Sequence, residues 1–91
     1  MTSKIRLDLR GVISPLNLLK CKSRLKSMEK GEILEVMLAD RDVVKDLIII
    51  VKRSNDEVIY TNEADDGICL GIQKGSRSYN HKDQVTRTSY V

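Results

Sequence analysis

The sequence predicts an α/β two-layer sandwich: a four-stranded mixed sheet with two helices on one face, in the order β-α-β-α-β-β. Three observations lead there. Apolar residues follow a period of two near the N-terminus, then a helical period after a Gly and a Pro, and the succession of strand and helix patterns then repeats. The last two apolar runs are joined by Asp65-Asp66-Gly67, a hairpin signal. A chain of 91 residues has room for one core, so two β-α-β crossovers of the usual right hand place both helices on the same side of the sheet.

Ile5, Leu7 and Leu9 alternate with Lys4, Arg6, Asp8 and Arg10, which makes a strand with one face toward the core. Gly11 ends it. Ser14 is then placed to cap a helix and Pro15 to be its first residue, where a missing N–H removes no bond. Leu18, Cys21, Leu25 and Met28 fall on one face of that helix, with Lys20, Lys22, Arg24 and Lys26 around it. Gly31 is the expected stop. Ile33 to Ala39 is apolar apart from Glu35 and reads as an interior strand. Asp40 can cap a second helix. Val44, Leu47, Ile48 and Val51 form its buried stripe, and Lys52 and Arg53 sit in a last turn whose dipole favours cations. The Ile48-Ile49-Ile50 run pulls the other way, toward strand. Ser54-Asn55-Asp56 is a turn, Val58 to Thr61 a third strand and Ile68 to Ile72 a fourth. Lys74-Gly75 closes a domain expected to span residues 1–75. From Ser76 to Val91 the chain is polar and without period, and a flexible tail is expected. Arg77, Lys82 and Arg87 against Asp83 give that segment +2 of the chain's net +3, which leaves the body near neutral.

Composition narrows the functional classes. Aromatics are 3% of the chain, with neither Trp nor Phe. The core is therefore aliphatic, and stacking platforms for single-stranded nucleic acid are scarce. A net charge of +3 does not by itself imply nucleic acid. Two cysteines, Cys21 and Cys69, are too few for a disulfide scaffold, and with a single His they make no zinc motif. No glycine-rich phosphate loop is present, and no cofactor is expected. The N-terminus is polar and basic, and the longest apolar run is Leu47 to Val51. Neither a signal peptide nor a membrane span is expected, and the default location is the cytoplasm.

The most specific string is Leu7-Asp8-Leu9-Arg10-Gly11, then Val12-Ile13, then Ser14-Pro15-Leu16-Asn17. A strand that turns through glycine into a helix start is where small α/β domains present a reactive group. The string resembles the signature of the TusA/SirA family of small sulfur-carrier proteins, in which LDLRG is followed two residues later by Cys-Pro-x-Pro. The likeness extends over residues 4 to 75. It takes in the element order, the Lys30-Gly31-Glu32 turn, the acidic cap at Asp40 and the closing Lys74-Gly75. The resemblance implies a protein that accepts a persulfide sulfur on the motif cysteine, from a cysteine desulfurase or another sulfurtransferase, and passes it on. A thiol at a helix start meets unpaired N–H groups and the positive end of the dipole, which favour thiolate. Here the position of that cysteine is Ser14, and that of the second proline is Asn17. A hydroxyl forms no stable persulfide, so the resemblance implies a divergent member without the usual carrier cysteine. Arg10, Gly11, Ser14, Pro15 and Asn17 are then the expected binding residues.

Each candidate has a plainer reading beside the functional one. Ser14 is a helix cap, a nucleophile, or a former carrier position that marks a docking surface. The only His is His81, in the expected tail, so a serine triad has no base at hand. Cys21 shares a face with Leu18 and Leu25 and reads as a small core hydrophobe; the sharper alternative is that it has taken over sulfur transfer. Cys69 lies between Ile68 and Leu70. If those two face the helices, its thiol faces the open side of the sheet. The basic first helix is a solvated face, or a docking surface for an acidic partner or for RNA. The element order also resembles the C-terminal domain of translation initiation factor three, an analogy of fold alone. Glu63, Asp65 and Asp66 are explained by a turn. Two functions from different classes stand: a sulfur-relay protein, or a non-catalytic module that keeps the family's docking surface and binds a protein partner. RNA binding through the basic helix is a third, and strong salt dependence would reveal it.

Overall fold

Six elements account for residues 4–75, the part of the chain that the computed structural model describes. They are β1 (Lys4–Asp8), α1 (Leu16–Ser27), β2 (Ile33–Leu38), α2 (Arg41–Lys52), β3 (Glu57–Ala64) and β4 (Gly67–Gln73), in the expected order. The segment expected to be a tail lies outside the described residues.

The strands lie side by side as β1-β2-β4-β3. β1 and β2 are parallel, while β4 is antiparallel to both β2 and β3. β2 and β3 therefore run the same way with β4 between them, and both α1 and α2 are crossover helices. Register sets the two faces. Ile5, Leu34 and Ile72 share a row, as do Leu7, Val36 and Leu70, and Leu38 lies beside Ile68. Cys21 and Leu25 from α1, Met28 at its C-cap, and Val43, Val44, Leu47 and Val51 from α2 join the buried residues of those rows in one core. Both helices thus cover the same face. Burying each such aliphatic side chain is worth about 1.5–3 kcal/mol.

The opposite face carries Arg6 beside Glu35, and Tyr60 beside Gly71. The Tyr60 ring lies over Gly71 so closely that a Cβ there would overlap it. Tyr60 Oη donates to Glu35 Oε2 at 2.6 Å, and Arg6 Nε donates to Glu35 Oε1 at 2.7 Å. The polar interruption of β2 is thus the hub of the open face. An irregularity in register between Val58 and Tyr60 leaves Ile59 without a partner on β4.

Local boundaries depart from the sequence expectation in three places. The α1 helix begins at Leu16, with Pro15 in the cap position, so Ser14 is not the N-cap. It ends at Ser27, with an extended Met28 as its C-cap. Gly31 lies beyond and serves the following turn, where its φ is 93° and its N–H reaches Lys74 O at 2.7 Å. The third strand is longer than Val58 to Thr61, because pairing with β4 continues down to Ala64 opposite Gly67. Asp40 does cap α2, accepting from the Asp42 N–H at 2.8 Å. The isoleucine run stays helical because Val43, Val44, Leu47 and Val51 are buried at helical spacing, which leaves Ile49 outside.

Candidate functional site

The chain leaves β1 through Gly11, whose φ of 85° favours a residue with no side chain. Val12 N–H closes the turn on Leu9 O at 3.1 Å. Arg10, just before it, is gripped by Asp8: Nε donates to Oδ1 at 2.9 Å and Nη2 to Oδ2 at 2.8 Å. Its Nη1 reaches across to the β3–β4 turn, donating to the backbone oxygen of Asp66 at 3.3 Å and to its Oδ2 at 3.2 Å. The Arg10 hydrogen bonds hold the Asp8 carboxyl down at about 2, and the same pairing pushes the guanidinium pKa up. Gly67 leaves room for this: a Cβ there would lie 2.8 Å from Leu38 O and 3.1 Å from Arg10 Cδ. Arg10 therefore locks the loop after β1 to the far hairpin. The sequence had Asp66 only as a turn residue.

Ser14 and Pro15, joined by a cis peptide bond, stand exposed at the head of α1. Asn17, expected among the binding residues, is turned inward and is 4% exposed. Its Nδ2 donates to Val12 O at 3.2 Å, and its Oδ1 accepts from Leu18 N–H at 2.7 Å. It staples the loop to the helix. The N–H groups of Asn17 and Leu19 are also taken, by Ile13 O at 3.2 Å and Pro15 O at 3.0 Å. An anion at position 14 would thus meet the helix dipole but few free donors.

A cleft of about 280 Å³ separates this loop from the β2–α2 connection, with Gly11, Ile13, Ser14, Asn17, Ala39 and Asp40 among its walls. Around Ser14 the surface is apolar: Ile13, Leu16 and Leu19 are 76%, 46% and 57% exposed. Sequence reasoning passed over this collar, although Leu16 and Leu19 stand off the Leu18-Cys21-Leu25 stripe and could have been found there. Lys20, Lys22, Arg24 and Lys26 are all exposed, and α1 carries no acidic residue.

Neither thiol belongs to this site. Cys21 has no exposed surface, and burial, with Asp56 adding to it, pushes its thiol up to about 12. Cys69 is half-buried and, between the inward Ile68 and Leu70, faces the open side of the sheet, as the alternation in β4 predicts. Burial there, with Glu35 nearby, raises its thiol pKa too. His81 lies outside the described residues. Among the described residues no cluster of three or more His, Cys, Asp or Glu could hold a metal ion, and no helix is long and apolar enough to cross a membrane.

Comparison with known proteins follows the same lines. The family model described as sulfurtransferase TusA matches residues 5–74. The Bacillus subtilis proteins YrkI and YrkF, which carry provisional sulfur-carrier designations, are each 29% identical over 75 residues, 82% of this chain. That match covers all of YrkI but 40% of YrkF. The sulfur carrier protein TusA of Allochromatium vinosum is 33% identical over 57 residues, 63% of this chain and 75% of that one. Among solved structures, a SirA-like protein from Desulfitobacterium hafniense superposes with a TM-score of 0.68 at 19% identity, over 79% of this chain and 99% of that one. That likeness is one of fold.

Proposed function

The chain belongs to the TusA sulfurtransferase family, and from that premise we propose that it serves sulfur relay as a divergent member, one that docks a sulfurtransferase partner at the Ser14 pole without carrying the sulfur there. The observation that supports this is a contrast within one loop. The surroundings of a presented residue are built: a glycine turn, the Arg10 clamp, the Asn17 staple and an exposed apolar collar. The residue presented is a hydroxyl, which does not hold a persulfide. No buried core explains why Ile13, Leu16 and Leu19 face outward, and an apolar patch of that kind suits a protein partner. The exposed Lys20 on the same helix suits a partner with an acidic rim. A cysteine desulfurase or another sulfurtransferase is the partner this reading proposes.

The test is a persulfide transfer assay. The protein is incubated with a cysteine desulfurase and cysteine, and intact mass is measured before and after reduction. The wild-type chain is expected to gain no sulfur atom, and Ser14→Cys to gain one that reduction removes. A reducible adduct on Cys69 or Cys21 of the wild-type chain would overturn the loss of carriage and show that transfer had moved to another thiol. Failure of Ser14→Cys to be loaded, by any desulfurase that loads a cysteine-bearing relative, would overturn the preserved docking surface.

A further inference from the structure

At the pole opposite Ser14, where α1 and α2 end and β4 runs out, a half-open cleft of about 460 Å³ lies between the helices. That is the size range of small-ligand sites. Leu25 and Ile50 give it apolar walls, and Lys22, Lys26, Arg53 and Lys74 converge on it from α1, from the end of α2 and from the end of β4. None of these four takes part in the ion pairs found among the described residues. The one carboxylate in the lining, Asp56, is buried and already engaged: its Oδ1 accepts from Gly75 N–H at 2.8 Å and its Oδ2 from Ser54 Oγ at 3.0 Å. Its neighbour Asn55 also lines the cleft.

We propose that this cleft binds a small organic phosphate of about nucleotide size, with its phosphate among Lys22, Lys26, Arg53 and Lys74 and its flat or apolar body against Leu25 and Ile50. Four lysine and arginine residues lining one half-open space, with no free carboxylate among the lining, favour a dianion over a single carboxylate. The site is independent of Ser14: it shares no lining residue with the cleft at the other pole.

The test uses the full 91-residue chain, labelled with ¹⁵N and titrated at low salt with adenosine 5′-monophosphate, adenosine and inorganic phosphate in parallel. The nucleotide is expected to cause saturable amide shifts centred on Lys22, Lys26, Asn55 and Gly75. Phosphate should move the same set more weakly, and adenosine should leave it unmoved. Lys74→Glu is expected to weaken nucleotide binding about tenfold or more, with the melting curve kept. Asn55→Asp, which adds a negative charge beside the four cations, should weaken nucleotide and phosphate alike. No saturable shift overturns the proposal. So do shifts spread equally over Lys20 and Arg24, which would show general attraction to a basic helix, and so does binding indifferent to Lys74→Glu.

Discussion

A hydroxyl set into the Cys21 site would have no water to bond and no partner in an aliphatic stripe, whereas the thiol there behaves as a small hydrophobe. Cys21→Ser is therefore expected to lower the unfolding free energy by about 1–3 kcal/mol, read from urea denaturation; an unchanged midpoint would mean that the site is wet. Asn17 poses the reverse case. Its carboxamide makes two hydrogen bonds from a buried position, so Asn17→Ala should cost about 1–3 kcal/mol and should loosen the loop as well, seen as faster hydrogen exchange at Leu18. The same staple bears on Ser14→Cys. With the Asn17, Leu18 and Leu19 amides already engaged, only the helix dipole acts on the new thiol. Its rate of alkylation against pH should place its pKa below the ordinary thiol value of about 8.5, but short of a strongly activated one. A pKa at or above the ordinary value would remove the dipole from the account. Cys21 was legible as core because its spacing from Leu18 and Leu25 is enough to place it. Asn17 was not legible: the contact that turns it inward is to Val12 O, in a loop with no period to read.

The two helices show what pattern can and cannot fix. In α2 the cap and the buried stripe agree, and they override three successive β-prone isoleucines. Asp40→Ala should accordingly destabilise the fold by about 0.5–2 kcal/mol, measured by thermal melting, and Asp40→Asn should recover most of the loss. In α1 the Ser-Pro pair fits a capping rule, yet the helix starts two residues after Ser14, because the chain is still turning through the loop stapled by Asn17. The third strand was underestimated for a related reason. Asn62, Glu63 and Ala64 have no apolar alternation, and what makes them strand is pairing with β4 across a two-residue turn. On the open face, Gly71 has no side chain because the Tyr60 ring occupies that space. Gly71→Ala should displace the ring and break its bond to Glu35, lowering stability by about 1–3 kcal/mol. Tyrosine fluorescence should change with it; an unaltered spectrum and melt would show that the ring is not seated there.

For the molecule as a whole, resistance to acid rests on carboxylates held ionised by neighbours. Glu35 lies below its ordinary 4.5, first through the Tyr60 hydroxyl and then through Arg6. A carboxyl with a lowered native pKa stabilises the fold fully above its unfolded value, and that contribution is lost as pH falls through the native value. The acid limb of the stability curve should thus open below 4.5 for Glu35, and below 3.8 toward about 2 for Asp8. Tyr60→Phe removes the largest cause acting on Glu35, so its native pKa should rise toward the ordinary one. The fall of melting temperature as pH drops below 4.5 should then flatten. An identical slope in the variant would assign the acid limb elsewhere. The fold class, the two crossovers and the position of the presented residue could all be read from alternation, one glycine turn and one hairpin signal. The apolar collar, confined to residues 13–19, was open to the same reasoning, since Leu16 and Leu19 stand off the buried stripe of α1. The basic cleft was not: its residues run from Lys22 to Lys74 and come together only when the helices dock.

The place of β4 has a consequence for how the chain is made. Of the six elements it is the last to leave the ribosome, and it occupies the seam between β2 and β3. Until it arrives, β3 has no strand to pair with, and the β1-α1-β2 half waits with an open edge. Synthesis in one direction therefore yields a nascent half-sheet that matures only when a late strand slides into its middle, an arrangement in which the final residues of the domain decide when the earlier ones become native.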